Sequence, residues 1–151
     1  MNLPDIAALV PHSETMLLLD RVLAADADTL DAEVAIGPDT LFCADGAVGA
    51  WVGVEYMAQA VAAHAGHGAH QRGEPVRVGF LLGTRRYTCA QAAFPVGSVL
   101  RVHVERVLQG ENGLGAYECR ILAPDGAELA GATITVFQPD NVEEFLQRSS
   151  E

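Results

Sequence analysis

The pattern of hydrophobic and polar positions predicts strands on either side of one long apolar helix. Residues 16–23 form a compact apolar run that is typical of a strand buried on both faces. Residues 30–36 alternate between apolar and polar, which predicts a half-exposed strand in a hairpin with the first. Residues 47–65 are almost continuously apolar and rich in Ala, which favours a helix. Because this helix is apolar on nearly all sides, we expect protein to surround it.

The sequence pattern in the second half of the chain predicts antiparallel strands joined by Gly-containing turns. Short helices are predicted near each end, over residues 3–10 and 142–148. A single long helix among many strands must lie against one face of a curved antiparallel sheet, so the predicted class is α+β in a single domain, 1–151. The later strands are predicted over residues 76–87, 99–108, 114–122 and 128–137.

Composition narrows the possible functions. The formal net charge is −11 and all nine cationic side chains are Arg, so the chain lacks the basic stripe of a nucleic-acid-binding protein. Neither a membrane span nor an export segment is apparent in the sequence. The three widely spaced cysteines suit free thiols in a reducing compartment. We therefore expect a cytoplasmic protein.

Two motifs resemble the FabZ-like beta-hydroxyacyl-ACP dehydratases. Pro-His at 11–12 precedes Met-Leu-Leu-Leu-Asp-Arg-Val at 16–22, and Glu-Tyr-Met-Ala-Gln stands at 55–59, where the family has Glu-Ala-x-Ala-Gln. More narrowly, 51–59 and 79–87 resemble dehydratase-like proteins associated with aryl polyene lipid synthesis. The resemblance implies a hot-dog fold, in which the sheet wraps the long helix. It also implies dimers that pair their sheets edge to edge, with two acyl tunnels at the subunit boundary.

The chain departs from the family at the catalytic histidine. Active members carry this residue in Gly-His-Phe-Pro-Gly, fourteen residues before the helix Glu, and here that offset falls on Leu41. Asp45 is a candidate base for the vacated position. His12 matches the family's early His, which by resemblance stabilises a loop and is not the catalytic one, although contact with substrate stays open.

Glu55 is the strongest catalytic candidate. A carboxylate in an apolar helix costs several kcal/mol unless it is hydrogen-bonded or protonated, so its presence calls for a reason. Gln59 lies one turn later on the same face and is expected to orient it. A desolvated carboxyl group is suited to donate a proton to a leaving hydroxyl group. The alternative is a structural hydrogen bond to backbone or to a partner subunit.

Other residues are candidates for substrate binding. The helix start near Gly46 and Gly49 is expected to offer backbone N–H groups to a thioester carbonyl, or to be a plain helix start. Trp51 is interpreted as core or tunnel lining, and Phe80 as a residue near the acyl chain. Arg85 and Arg86, with Arg72 and Arg77 nearby in sequence, could form a docking cluster for an acidic acyl carrier protein.

Three histidines of the chain have a spacing typical of metal ligands. His64, His67 and His70 are spaced as His-x-x-His-x-x-His, but Gly66 and Gly68 interrupt the predicted helix. We interpret these histidines as a solvated helix end. No metal or organic cofactor is expected.

Three functions remain open. The first is an active dehydratase of 3-hydroxyacyl thioesters carried by acyl carrier protein, in fatty acid or aryl polyene lipid synthesis. The second, slightly favoured, is a catalytically reduced subunit, active in a heterodimer with a His-bearing dehydratase and nearly inactive as a homodimer. The third is an acyl thioesterase that uses Glu55 and a water molecule.

Overall fold

The computed structural model describes residues 17–73, 80–110 and 113–137. Within these ranges one α-helix, α1 (Gly53–Gln71), packs on a six-stranded antiparallel sheet of order β1-β2-β7-β8-β9-β5. A second, three-stranded sheet has the order β3-β4-β6. The strands are β1 (Arg21–Ala25), β2 (Thr29–Ala35), β3 (Cys43–Ala44), β4 (Ala47–Gly49), β5 (Phe80–Cys89), β6 (Ala93–Pro95), β7 (Val99–Gln109), β8 (Leu114–Leu122) and β9 (Glu128–Phe137). The predicted α+β class is confirmed; the segments predicted at 3–10 and 142–148 lie outside the described residues.

The core forms between α1 and the inward face of the sheet. The helix contributes Tyr56, Met57 and Ala60, all fully buried, because the apolar side chains around α1 must be removed from water. The strands contribute alternate residues, as the period of two along a strand requires. These strand residues include Leu30, Ala32, Val34, Leu100, Val102, Val104, Ile121 and Ile134.

The helix differs from its prediction at both ends. It was expected to begin at residue 47, but Ala47–Gly49 is strand β4, which pairs with Ala93–Pro95. A 3₁₀ turn, Ala50–Val52, then leads into α1. The helix also continues through Gly66 to Gln71, because burial of this end outweighs the poor helix propensity of glycine.

One hydrogen bond fixes the start of the helix against strand β5. The hydroxyl of Tyr87 donates to the backbone carbonyl of Ala50 at 2.5 Å. Gly53 lies directly under the same hydroxyl, so that a Cβ atom at position 53 would collide with it. The approach of β5 to the first turn of α1 therefore requires glycine at this position.

Two strand predictions need correction. The first strand, expected over 16–23, begins at Arg21, although Leu18 and Leu19 before it are buried. The second was expected to be half-exposed, yet Asp31 on its outer face is only 7% exposed. The reason is that two side chains of β7 cover it, because Arg101 Nε and His103 Nδ1 both donate to Asp31 Oδ1 at 2.9 Å.

These contacts make Asp31 a source of pH-dependent stability. Burial alone would raise the pKa of Asp31, but the hydrogen bonds and charges of Arg101 and His103 outweigh it and hold the pKa below the ordinary value. A lowered carboxyl pKa gives stability that is present above the pKa of the unfolded chain, near 4, and is lost as the pH falls through the folded pKa.

We predict that Asp31→Asn lowers the free energy of unfolding by about 1–3 kcal/mol at pH 7, because hydrogen bonds to a charged acceptor are weakened. The difference from wild type should shrink as the pH falls below about 4. Urea denaturation at a series of pH values measures both. Asp39→Asn, at an exposed position, is the control and should stay within about 0.5 kcal/mol of wild type. A difference that grows at low pH would contradict the assignment.

Candidate active site

Glu55 lies in the first turn of α1 and is half-buried. The side chain lines a cleft of about 700 Å³ between α1 and the strands. This volume is within the range of small-molecule sites. Glu55 is therefore placed where a ligand in the cleft can reach its carboxyl group.

Gln59 links Glu55 to the chain before β1. Its amide is fully buried, its Nε2 donates to Glu55 Oε1 at 3.3 Å, and its Oε1 accepts from the backbone N–H of Leu18 at 2.8 Å. Because the Leu18 N–H can only donate, it fixes which end of the amide faces Glu55. Gln59 is thus a positioning residue for the carboxyl group, and the structure brings the two side chains together as the helical spacing predicts.

The cleft is lined by apolar and polar residues in similar numbers. The apolar part is made by small side chains of α1, namely Ala58, Val61, Ala62 and Ala65, facing Leu114, Gly115 and Val136 of β8 and β9. The polar lining includes Glu55 in the first turn of α1 and, around the C-terminal half of the helix, Asp26, His64, His67, Arg106 and Tyr117. A small molecule with both apolar and polar groups is suited to such a lining.

Both ring nitrogens of His64 form hydrogen bonds. Its Nε2 lies 3.2 and 3.1 Å from the carbonyl oxygens of Asp26 and Ala27, which can only accept, so Nε2 carries the proton. Its Nδ1 then accepts from the hydroxyl of Tyr117 at 2.8 Å. Burial, followed by the charge of Arg106, lowers the pKa of His64. The ring is therefore a neutral structural group.

The expected solvated helix end is wrong for two of the three histidines. His64 is 3% exposed and His67 is 5% exposed, because α1 continues past them against the sheet, whereas His70 is exposed. In the described ranges no group of three or more His, Cys, Asp or Glu side chains is arranged to hold a metal ion. Sequence reasoning missed that His64 and His67 line the cleft that Glu55 also lines; the only signal was their spacing on a helix longer than predicted.

Two buried polar atoms have no hydrogen-bond partner among the described residues, the Tyr56 hydroxyl and His67 Nδ1. Tyr56 packs in the core beside Phe94, with ring centroids 6.4 Å apart, and burial raises the pKa of Tyr56 to about 12. Its hydroxyl stays protonated. His67, in contrast, lines the cleft.

The glycines expected at the helix start lie elsewhere. Gly46 is in the turn between β3 and β4 with φ of +80°, which favours glycine, and its carbonyl accepts from Val96 N–H at 2.9 Å. Gly49 ends β4 and precedes the 3₁₀ turn. Both therefore stand before α1 and not at its first turn. A carbonyl-binding role for their N–H groups stays a prediction.

Trp51 lies at the surface and not in the core. It is 68% exposed, and its ring makes a T-shaped contact with the ring of Phe42, with centroids 5.6 Å apart. Leu41 is exposed in the same part of the chain. Asp45 is exposed as well, with φ of 54° in the β3–β4 turn. The core interpretation of Trp51 is wrong, because the 3₁₀ turn directs this residue away from the sheet.

The predicted docking arginines occupy an edge of the large sheet. Arg85 and Arg86 are exposed on β5, the terminal strand, where an irregularity in the pairing with β9 gives Arg86 a φ of 56°. Phe80 begins this strand. Arg72 is exposed after α1 and lines the cleft. His12 and Arg77 lie outside the described residues.

Comparison with known proteins gives a family and a fold. A protein-family model described as ApeP-like, ApeP dehydratase, matches residues 4–147. A chain from the structure of the dehydratase heterocomplex ApeI:P from Xenorhabdus doucetiae superposes on this protein with a TM-score of 0.91 at 28% identity. The match covers 99% of this chain and 100% of the other. No curated protein matches.

More distant structures share the fold alone. A hypothetical thioesterase from Streptococcus pneumoniae TIGR4, solved with coenzyme A, has a TM-score of 0.61 at 14% identity over 78% of this chain and 84% of its own. AziG from S. sahachiroi has a TM-score of 0.66 at 15% identity, over 87% of this chain and 98% of its own. The predicted hot-dog fold is confirmed. None of the helices in the described ranges is long and apolar enough to cross a membrane.

We predict that Tyr117→Phe lowers the free energy of unfolding by about 1–3 kcal/mol, because it leaves Nδ1 of buried His64 without its donor. Tyr56→Phe is the matched control, since it removes a buried hydroxyl that has no partner among the described residues, and it should be neutral or stabilising. Chemical denaturation of both variants measures the effect. Equal losses in the two variants would contradict the assigned hydrogen bond.

Proposed function

The chain belongs to the ApeP-like dehydratase family, and we propose that it is a partner-dependent subunit of a dehydratase acting on 3-hydroxyacyl thioesters carried by acyl carrier protein. We propose that this subunit acts in aryl polyene or related fatty acid synthesis, because its sequence resembles the dehydratase-like proteins of that process. The observation that carries it is the Glu55 carboxyl group, held by Gln59 in a cleft large enough for an acyl chain.

In the proposed reaction Glu55 acts as the general acid. A base removes a proton from C2 of the 3-hydroxyacyl thioester, and the electron pair of that C–H bond forms the C2–C3 double bond. The C3–O bond breaks, and Glu55 gives its proton to the leaving hydroxyl group, which departs as water. Gln59 donates to Glu55 Oε1 and so restrains the carboxyl group of a residue that lines the cleft. A positioned acid of this kind contributes roughly 10²–10⁴-fold to rate.

The base must remove a proton from C2, the carbon next to C3, which carries the hydroxyl group that Glu55 protonates. His64 and His67, the described imidazoles that line the cleft, lie nine and twelve residues after Glu55, which is about 13 and 18 Å along a helix. Neither can reach adjacent substrate carbons together with Glu55. Leu41 occupies the position of the family's catalytic histidine and has no ionisable group. The base is therefore proposed to come from a second subunit.

The comparison supports a related dehydratase as that second subunit. The solved relative at 28% identity is a dehydratase heterocomplex of two components. By resemblance, each site in the family takes its His from one subunit and its acid from the other. A chain that keeps Glu55 and lacks the His completes one site with a His-bearing partner and none with a copy of itself.

Exposed arginines support docking of acyl carrier protein. Carrier proteins are acidic, and this chain is acidic as well, so overall charge opposes association. Arg85 and Arg86 on the edge strand and Arg72 beside the cleft present local positive charge. We propose that these residues receive the carrier protein and direct its acyl group to the cleft.

We expect the purified chain to dehydrate 3-hydroxyacyl thioesters only when it is mixed with a His-bearing dehydratase of the family. In the mixed complex Glu55→Gln should lower the rate by roughly 10²-fold or more, because the acid is lost. Glu105→Gln, at an exposed position on β7, is the control and should leave the rate unchanged. Release of free acid in place of the unsaturated product would favour a thioesterase, and an unchanged rate with Glu55→Gln would refute the shared site.

We further expect Leu41→His to give the chain measurable dehydratase activity by itself, by restoring a base at the family position. A gain of roughly tenfold or more over wild type is expected, at the lower end of what a positioned base contributes. Phe42→His, at the adjacent and equally exposed residue, is the matched control and should give no gain. If the wild-type chain alone dehydrates the substrate as fast as the mixed complex does, partner dependence is refuted.

A further inference from the structure

An exposed group of large apolar side chains lies immediately before α1. Trp51, at 68%, is the most exposed large hydrophobic residue in the described ranges, and its ring contacts that of Phe42, which is 42% exposed. Leu41, beside Phe42 in the chain, is 41% exposed. We call Leu41, Phe42 and Trp51 the aromatic patch. Clustered apolar side chains that stay in contact with water indicate a surface that another molecule covers.

The backbone around the patch holds the two rings in place. Phe42 has a φ of 70°, in the left-handed region, which is unfavourable for a bulky residue. The ring that this conformation holds against Trp51 stays partly exposed, so folding of the chain alone gains little from it. The Trp51 ring lies against Gly49, where an added Cβ atom would collide with Trp51 Nε1. Strained residues are concentrated at binding and functional sites, and a surface fixed in advance binds its partner at a lower entropic cost.

The patch is close both to Glu55 and to the terminal strand of the large sheet. Trp51 precedes Glu55 by four residues, a rise of about 6 Å along a helix. Ala50, the residue before Trp51, accepts the hydrogen bond from Tyr87 of β5. Because β5 is the last strand in the order of the six-stranded sheet, a chain that joined the sheet along β5 would lie close to Trp51. The patch thus continues the edge of the sheet toward Glu55.

The proposed reaction indicates which molecule covers the patch. The base and Glu55 act on adjacent carbon atoms, so the subunit that supplies the base must lie against the part of α1 that carries Glu55. Trp51 and Phe42, as described in the structure, are not among the residues that line the cleft, so the acyl chain is the poorer candidate. Exposed Trp and Phe side chains are typical of the centres of protein interfaces.

We propose that the aromatic patch is the docking surface for the His-bearing subunit, with Trp51 as its anchor residue. This inference rests on the proposed function, which requires a second subunit and does not say which residues bind it. Strand pairing along β5 uses backbone groups, which every chain carries, and therefore discriminates little between partners. The side chains of the patch would then decide which subunit is accepted.

The single tryptophan of the chain allows a direct test. The full chain is produced with fluorotryptophan, so that Trp51 gives one fluorine resonance, and is titrated with an unlabelled His-bearing dehydratase of the family. In the free chain the resonance should differ between ordinary and heavy water, because the ring is exposed. In the complex this solvent effect should be lost, because the partner covers the ring.

Substitution of the anchor should weaken the complex and leave the fold intact. By calorimetry, Trp51→Ala should raise the Kd for the His-bearing dehydratase roughly tenfold or more, as expected for an interface anchor. Trp51→Phe, which keeps an aromatic ring, should recover part of the loss. Leu108→Ala, at another exposed hydrophobic residue, is the matched control and should stay within about twofold of wild type. Thermal unfolding of each variant alone checks that the chain remains folded.

The outcomes separate this inference from the proposed function. If the complex forms but the Trp51 resonance keeps its solvent effect, or if Trp51→Ala binds as tightly as wild type, the inference is overturned while the proposed function stands. Equal losses in Trp51→Ala and Leu108→Ala overturn it too. If the solvent effect disappears when the labelled chain is concentrated alone, the patch binds a second copy and the inference is overturned. If no complex forms with a His-bearing dehydratase, both fail.

Discussion

The buried amide of Gln59 is the interaction on which the site depends. It has no exposure to water, so its two polar ends must be satisfied by protein, and they join the Leu18 backbone to Glu55. The segment before β1, the middle of α1 and the carboxyl group of Glu55 are fixed by the same side chain. Loss of one of these contacts leaves a buried donor or acceptor unpaired, so the helix, the first strand and the acid keep one relative position.

Much of the fold follows from local sequence signals. The bounds of Leu114–Leu122 and Glu128–Phe137 match their predictions, because clear turn residues stand between alternating runs. The ends of α1 were not predictable in this way. Its start depends on Ala47–Gly49 pairing with a strand more than forty residues later, and its continuation through Gly66 depends on burial by the sheet. Both are tertiary effects that override local propensity.

The candidate site was predictable where helix spacing alone decides geometry. Glu55 and Gln59 are four residues apart and meet as expected. The cleft needed coordinates, because its walls come from strands distant in sequence. The burial of His64 and His67 follows only once the true end of α1 is known. Trp51 shows the converse, since its hydrophobic side chain suggested the core, while the turn that carries it points outward.

The fit of Gly53 beneath the Tyr87 hydroxyl has a consequence for how such chains can diverge. A larger residue at position 53 is harmful while the hydroxyl is present, because the two would occupy the same space. Loss of the hydroxyl in turn removes the tether to Ala50. The two sites are therefore epistatic, and the order in which mutations arise matters. A descendant lineage reaches an enlarged residue 53 most readily by changing residue 87 first.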